Sequence, residues 1–457
     1  MKMRILQPII FSMGLLFWAD SFSFGEGKEE WIQEGFARIE QRFSNDLLLP
    51  DLLEYAYGSN PSIAASKESW KMVIETYQIE KSYPDPQLMV TVFPSPVETR
   101  LGPQDWNLSL SQPIPFPGRL TRKAKILEAD ATISKLKVDK AVKDIVTAIS
   151  SSYYELIYIQ TAIEIAKANL NLNQELVKIS ENAYEEDKAL FYDISKAQAQ
   201  TAQIRYDILL LKELEQAEKA KLNTILNRPP GAFLGRARQG VFRPVVYTLN
   251  EIYRLSAENQ EDVRIAAETV LKSEESVKLS GYDSLPSFKL GLFYAGIGDP
   301  DVPNPPRDAG EDAMGIQLGL TIPIWSGKNK SRKARAVAGN RKAKADRLQI
   351  ENTVKDKISR LWFKLQNSNR LILLYEKNLI PQALKSVQTA ETWFRQGEGS
   401  FSDFLEIQAT AYNFQLSLAR AEADYRQSLV RLEQLAGVVL DRKVKNKEGK
   451  GGRTHEN

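Results

Sequence analysis

Leu110-Ser111-Gln112-Pro113-Ile114-Pro115-Phe116-Pro117-Gly118-Arg119 reads as a strand that runs into a proline-rich corner and opens into a helix. Leu320-Thr321-Ile322-Pro323-Ile324-Trp325-Ser326-Gly327-Lys328 is the same corner written again. Sliding the chain against itself at an offset of 210 residues places Leu108, Leu110, Pro113 and Ile114 on Leu318, Leu320, Pro323 and Ile324. Further along, Glu181, Tyr184, Phe191, Asp193 and Gln198 meet Glu391, Phe394, Phe401, Asp403 and Gln408 at that offset. Before the corners the offset falls to 200, where Leu49, Ile63 and Pro86 meet Leu249, Val263 and Pro286. The ten extra residues fit a longer loop in the second copy, from Gly298-Asp299-Pro300 to Pro305-Pro306. The chain is one unit of about 200 residues, used twice.

Each copy carries its elements in the same order. A helix of about 30 residues comes first, Asp51 to Ser82 and Asn250 to Gly281. Two strands per copy follow, four in the chain, with period-two alternation clearest in Leu88–Val92, Leu108–Ser111 and Ile316–Ile322. Long helices then span about Leu120–Asp187 and Asn329–Gln396, and after a short break a third helix ends near Asn227 and Gly437. Val138, Val142, Ile145, Ile149, Ser152, Leu156, Ile159, Ile163, Ala166 and Leu170 alternate steps of four and three. Val354, Ile358, Leu361, Leu365, Ser368, Ile372, Tyr375 and Leu379 do the same in the second copy, one position out of phase. Such spacing sustained over four heptads means coiled-coil packing. A helix of about 68 residues is about 100 Å long, which the first and third helices match if stacked end to end. Four twisted strands cannot close a membrane barrel alone, whereas three chains bring about twelve, within the known range. The fold class expected is mixed and mainly α: a duplicated unit of long coiled-coil helices and a β-hairpin, trimerising into a 12-stranded barrel with an α-helical tunnel.

Composition closes off other classes. Of 457 residues 26% are charged and 43% hydrophobic, which fits neither disorder nor a helical membrane protein. A net charge of +3 with interspersed signs gives no footprint for nucleic acid. There is no cysteine, and the one histidine is His455 in the polar tail, so thiolate chemistry and ordinary histidine metal sites are out. No HExxH, GxSxG or dinucleotide fingerprint occurs, and Gly327-Lys328-Asn329 lacks the spacing and the hydroxyl of a P-loop. No enzyme and no cofactor is expected. Lys2 and Arg4 precede an apolar run from Ile5 to Trp18, and small residues lead into Gly25-Glu26-Gly27-Lys28, the layout of a secretory signal. An N-terminal anchor is the competing reading, for which the run is short. The expected organisation is a signal at 1–25, an N-terminal segment 26–48, repeats at 49–240 and 241–440, and a polar tail at 441–457.

The corners and the stretch Phe394-Arg395-Gln396-Gly397-Glu398-Gly399-Ser400-Phe401-Ser402-Asp403-Phe404-Leu405 resemble those of the TolC-type outer-membrane efflux family, in members paired with heavy-metal and drug efflux pumps. The resemblance covers both repeats, about residues 45 to 440. It implies a homotrimeric barrel in the outer membrane of a Gram-negative-type bacterium, in contact with outer-membrane lipid and continued by a periplasmic tunnel. It implies as partners a periplasmic adaptor protein and a proton-driven inner-membrane efflux pump, with this chain as their passive exit duct. A type I protein-secretion channel is the neighbouring alternative. A periplasmic coiled-coil scaffold explains the heptads but not the strands recurring at one place in both repeats. A secreted hydrolase acting through paired carboxylates would need a pocket that long helices do not provide.

By the same resemblance the hairpin tips Lys188, Ala189, Leu190 and Gly397, Glu398, Gly399, Ser400 face the adaptor. The first tip departs from the second, with Asp187 for Gly397 and Leu190 for Ser400. Gly397 and Gly399 are also what a tight reversal between antiparallel helices needs, with φ > 0 accepted there. Asp193 and Asp403 open the helices after the tips, where a carboxylate suits the positive end of the helix dipole. Facing a lumen, they and Glu406 would instead favour cations at the aperture. Pro113, Pro115, Pro117 and Pro323, with Gly118 and Gly327, are sufficiently explained as strand-to-helix corners. The basic run Lys328, Lys330, Arg332, Lys333, Arg335, Arg341, Lys342, Lys344 and Arg347 reads as a solvated face or as a contact for inner-leaflet phosphates.

Overall fold

The computed structural model describes residues 38–186, 190–396 and 398–442. The expected signal at 1–25, most of the polar tail, and the tip residues Lys188, Ala189 and Gly397 lie outside the described residues. Helical residues 38–45 lead into β1 (Asp46–Leu47), α1 (Leu49–Ser59) and α2 (Pro61–Lys81). Strands β2 (Gln87–Thr99) and β3 (Gly102–Ile114), then α3 (Arg119–Glu185) and α4 (Phe191–Ile225), complete the first repeat. After β4 (Arg236–Ala237), which pairs in parallel with β1, the series recurs as α5 (Leu249–Asn259), α6 (Glu261–Tyr282), β5 (Ser287–Ile297) and β6 (Ala313–Thr321). The second long helix is α7 (Ser326–Leu374), a π-turn (Tyr375–Leu379) and α8 (Ile380–Gln396), followed by α9 (Phe401–Ala436).

The single first helix expected in each repeat is two helices. Pro61 at the start of α2 has no N–H to leave unpaired. Asn60, extended at φ −74° and ψ 122°, accepts from the amides of Ser62 (2.9 Å) and Ile63 (3.2 Å). Its amide nitrogen donates to the Ile225 carbonyl at 2.7 Å, so the break is sewn to the end of α4. α2 and α4 then lie along successive parts of α3, the end-to-end stacking that the lengths imply. The second repeat breaks at Gln260, whose side chain accepts from Val263 N at 2.8 Å. Asn227 (φ 57°) and Gly437 (φ 76°) leave the third helices in the left-handed conformation. A Cβ on Gly437 would stand 2.5 Å from the Asn259 carbonyl oxygen, which makes that approach of α9 to α5 a glycine position.

The phase slip between the two heptad seams has a structural account. Gly118 precedes α3 and Gly327 opens α7, so the second corner is one residue shorter, and the seam pairs are separated by 209 residues. Pro381 lacks the N–H that the Lys377 carbonyl would accept, and its ring crowds that carbonyl. The chain widens ahead of it, with Ile380 N–H donating to Tyr375 O, a five-residue step. One residue is thereby inserted, and the tips return to the offset of 210. Packing equivalence survives the slip: Ile149 and Leu156 are buried in the first core with Leu52 and Leu222, and Ile358 and Leu365 in the second with Ile252 and Leu432. Phe43 and Leu47, upstream of the expected repeat boundary, are fully buried in the first core.

The repeats are joined along α3, which touches both α6 and α9. Five ion pairs line the α3–α6 contact: Arg119–Asp283 (2.9 Å), Arg122–Glu275 (3.1 Å), Asp130–Lys272 (2.7 Å), Lys140–Asp262 (2.5 Å) and Lys143–Glu261 (2.5 Å). At α9, Arg420 donates to both oxygens of Glu155 (2.8 and 2.9 Å) and to Asp424, and lies over the Tyr158 ring.

The four long strands form one antiparallel sheet in the order β2-β3-β5-β6. Leu88, Leu110, Leu292 and Ile316 share a row, as do Val90, Leu108, Tyr294 and Met314. The opposite face carries Gln87, Ser111, Gly291 and Gln317 in one row and Thr91, Asn107, Ala295 and Ala313 in another. One side is therefore a continuous apolar surface, with Leu318 83% exposed, and among the described residues β2 and β6 are open edges. Among the described residues no helix is long and apolar enough to cross a membrane.

Candidate functional site

Both hairpin tips lie at one end of the helices. They share a core of Leu176 from α3, Ala197 from α4, and Phe401, Phe404 and Leu405 from α9, with Phe394 of α8 packed against it. Lys196 Nζ is hydrogen-bonded to Ser402 Oγ and ties the first tip to the second. The Phe394 ring lies 5.0 Å from Phe401 and 6.4 Å from Phe404, centroid to centroid. The first tip has one aromatic contact in the corresponding place, Tyr184 to Phe191 at 6.2 Å. These aromatics are visible in the sequence as repeat matches, but their matching alone does not say that they join two tips.

Leu190, Phe191 and Tyr192 project outward, with Leu190 70% exposed. In the second tip the amides of Glu398 and Gly399 both donate to Trp393 O (3.0 and 3.2 Å), which closes the turn, and Trp393 is exposed. Ser400 is the extended residue before α9 and makes no side-chain cap. Gly399 does not have the positive φ expected of it. Its role is close approach: a Cβ there would meet Trp393 Cβ at 3.1 Å and Phe394 N at 3.3 Å.

The repeated acids are not equivalent. Asp193 is half-buried and accepts from Leu190 N at 3.2 Å, which satisfies a free amide at the start of α4. Asp403 and Glu406 are exposed, and neither carboxylate has a hydrogen bond or ion pair among the described residues. Above the tip core, Gln408 Nε2 donates to Asn169 Oδ1 at 3.0 Å inside the bundle. Gln408 Oε1 and the neighbouring Asn173 Nδ2 are buried without partners, so this level is polar and incompletely bonded.

The corners lie at the other end of α3 and α7, next to the sheet. Pro113 stays within β3 opposite Lys289, while Pro115 and Pro117 follow the strand. Gly118 is left-handed at φ 87°, and a Cβ on it would stand 2.8 Å from the Tyr282 ring. Pro323 follows β6, and Gly327 lies in the first turn of α7 with open space around it. The basic run occupies the first turns of α7. There Lys342, Lys344 and Arg347 are paired with Asp346, Glu274 and Glu351. Among the described residues no group of His, Asp and Glu could hold a metal ion.

Residues 252–438 match the family described as outer membrane efflux protein. No curated protein matches the chain. Among solved structures the fold is similar to the outer membrane protein VceC of Vibrio cholerae, at 18% identity and a TM-score of 0.72, covering 86% of this chain and 96% of that one. CusC, whose structures concern folding and transmembrane channel formation, is similar at 14% identity and 0.72, over 87% and 93%. The MtrE outer membrane channel of Neisseria gonorrhoeae, in its open state, is similar at 15% identity and 0.67, over 86% and 89%. The resemblance to TolC-type efflux proteins thus holds in a sequence match to the second repeat and in the fold of the whole. The matched family and structures are of channels, not enzymes.

Proposed function

From a second repeat that matches the outer membrane efflux family and a fold shared with its channels, we propose that the chain is the passive exit duct of a tripartite efflux system. Three copies close a 12-stranded barrel in the outer membrane and continue it as a periplasmic tunnel. The observation that carries this reading is the sheet: four strands, with two edges left open and an apolar face left uncovered by the described residues. In water such edges are an aggregation hazard, and in lipid they must be paired. The sheet is mounted on α3, whose 67 residues make about 100 Å of helix.

In this reading the signal at 1–25 is removed, repeats 49–240 and 241–440 alternate around the duct, and barrel and basic run contact outer-membrane lipid. The tips, from Lys188, Ala189 and Leu190 to Gly397, Glu398, Gly399 and Ser400, dock a periplasmic adaptor protein joined to a proton-driven inner-membrane pump. Exposed Leu190, Phe191, Tyr192 and Trp393 support docking, being apolar surface at the end of a bundle that none of the described residues covers. Membrane extracts test the duct: the unheated protein should run as a heat-modifiable band and weigh three chains in detergent. A monomer that stays soluble without detergent overturns it.

A further inference from the structure

The two corners treat their cations differently. After the first, Arg119 pairs with Asp283 (2.9 Å), Arg122 with Glu275 (3.1 Å) and Lys123 with Glu80. Lys125 alone is left there without an ion pair among the described residues. After the second, Lys328, Lys330, Lys333 and Arg335 are exposed, and none has an ion pair or a side-chain hydrogen bond among the described residues. Arg332 between them is turned inward and donates to the Asp283 carbonyl at 2.8 Å. No acid occurs from Ser326 to Ala345, so this stretch of helix carries no counter-charge of its own. The four cations also stand in the first turns of α7, near the positive end of the helix dipole, which disfavours them. Charge placed against a local rule calls for compensation from somewhere else.

Directly before these cations the surface is apolar. Met314, Ile316, Leu318 and Leu320 lie along β6, and Ile322, Ile324 and Trp325 continue them past the strand, all more than half exposed. Nine strand residues tilted at about 45° cover about 20 Å of height, and the three residues beyond them extend the apolar surface towards the ~25 Å lipid band of a barrel. Trp325 ends it, 70% exposed, as an aromatic side chain does at the level of the headgroups. From Lys328 to Arg335 the helix rises about 10 Å. The polar layer of a leaflet is about 5–8 Å deep, so these four side chains fall at its depth and just beneath it.

We infer that the second corner is a binding site for an anionic phospholipid of the periplasmic leaflet, with its acyl chains along Ile322, Ile324 and Trp325 and its phosphate among Lys328, Lys330, Lys333 and Arg335. The inference rests on the outer-membrane reading and names the lipid and the place. The ligand is amphiphilic because the apolar row runs into the cations without a break. It carries net negative charge because a zwitterionic headgroup brings its own cation and leaves the four unbalanced. It sits on the periplasmic side, since the helices leave the sheet at that end. The first corner takes no such lipid, because Arg119, Arg122 and Lys123 are already neutralised by Asp283, Glu275 and Glu80. Each chain thus holds one site, in one repeat of the two.

Native mass spectrometry of the full chain in mild detergent tests the site, with phosphatidylglycerol, phosphatidylethanolamine or inorganic phosphate added in turn. The parent should hold phosphatidylglycerol about ten-fold or more tightly than phosphatidylethanolamine, and inorganic phosphate should not displace it. Lys328→Gln, Lys330→Gln, Lys333→Gln and Arg335→Gln together should abolish the preference. Lys355→Gln, Lys357→Gln, Lys364→Gln and Lys385→Gln remove the same charge from exposed positions further along the second long helix and should keep it. Where the fourfold corner variant fails to assemble, Lys328→Gln with Lys330→Gln should still cut the preference several-fold. An undiminished preference in a corner variant, or an equal loss in the distant one, overturns the site. Inorganic phosphate binding in the lipid's place overturns the lipid as its ligand. A membrane-embedded channel without the preference overturns the inference and leaves the duct standing, whereas a protein soluble without detergent overturns both.

Discussion

Arg420 of α9 donates to both carboxylate oxygens of Glu155 in α3, at 2.8 and 2.9 Å, and so clamps the second repeat onto the first. Gln427 donates to the same carboxylate at 2.7 Å. Burial acts upward on the Glu155 pKa, but the bonds from Arg420 and Gln427 outweigh it and hold the group below its usual range. Both side chains are about 30% exposed, so the pair is only partly screened. Arg420→Met should lower stability by about 1.5–3 kcal/mol, because it leaves a half-buried carboxylate short of its donor. Glu155→Gln alone should cost less, and the double variant should cost less than the two summed, which thermal unfolding in detergent would read as a double-mutant cycle.

Gly118 and Gly327 occupy one place in the two corners and should respond oppositely to alanine. Gly118 is left-handed and faces the Tyr282 ring at 2.8 Å from an added Cβ, so Gly118→Ala incurs about 1–2 kcal/mol of backbone strain before any crowding. Gly327 lies in helix with open space around it, and Gly327→Ala should stabilise by about 0.5–1 kcal/mol. Thermal midpoints of the two variants should fall on opposite sides of the parent.

The corners, the duplication and the heptad stripes are legible in the sequence because each repeats a pattern at fixed spacing. The two helix breaks differ in this respect: Ser59-Asn60-Pro61 carries a proline and a capping side chain that the sequence displays, whereas Gln260 has no proline beside it and its break rests on a side-chain cap between helix-compatible flanks. β5 hides for another reason. Phe288, Leu290 and Leu292 alternate with Lys289 and Gly291, but Phe293 and Ala295 put apolar groups on the other face and blur the period. The phase slip between the seams reads in the sequence as drift between helices in non-equivalent environments, whereas the two seams pack alike and a π-turn restores the offset. At the tip, glycine spacing pointed to a reversal, while the reason for Gly399 is the nearness of Trp393, a tertiary fact.

Glu433 of α9 accepts from Leu440 N at 3.0 Å and holds the segment that ends the second core. Burial pushes its carboxyl up to about 7, against the downward pull of that amide and with Asp441 adding to the rise. The folded state therefore binds this proton more tightly than the unfolded chain does. Its contribution to stability is fully present below about pH 4.5 and is lost as pH rises through about 7. The thermal midpoint should fall between about pH 5 and 8, by an amount equivalent to roughly 1–3 kcal/mol. Glu433→Gln, which keeps the acceptor and cannot ionise, should flatten that slope. An unchanged slope in the variant assigns the pH dependence to another group.

Asp193 and Asp403 hold matching places in the repeats, yet only Asp193 is bonded at its helix start, to Leu190 N. Replacing Asp193 with Asn should weaken the capping of α4 and lower stability by about 0.5–1 kcal/mol. Replacing Asp403 should leave stability nearly unchanged, since no bond or ion pair among the described residues depends on its carboxylate. In the proposed trimer three copies of Asp403, with Glu406 one turn further along, lie at the tip end of the tunnel. Uncompensated carboxylates there should favour cations in the isolated channel. Reversal potentials in planar bilayers across a salt gradient should show that preference in the parent, a weaker one in Asp403→Asn, and inversion or block in Asp403→Arg. The Asp193→Asn channel should keep the parent's ratio, because that carboxylate is already committed to the helix. Equal cation-to-anion ratios in the parent and both Asp403 variants would leave Asp403 with no part in conduction, as a solvated acid that merely suits the helix dipole.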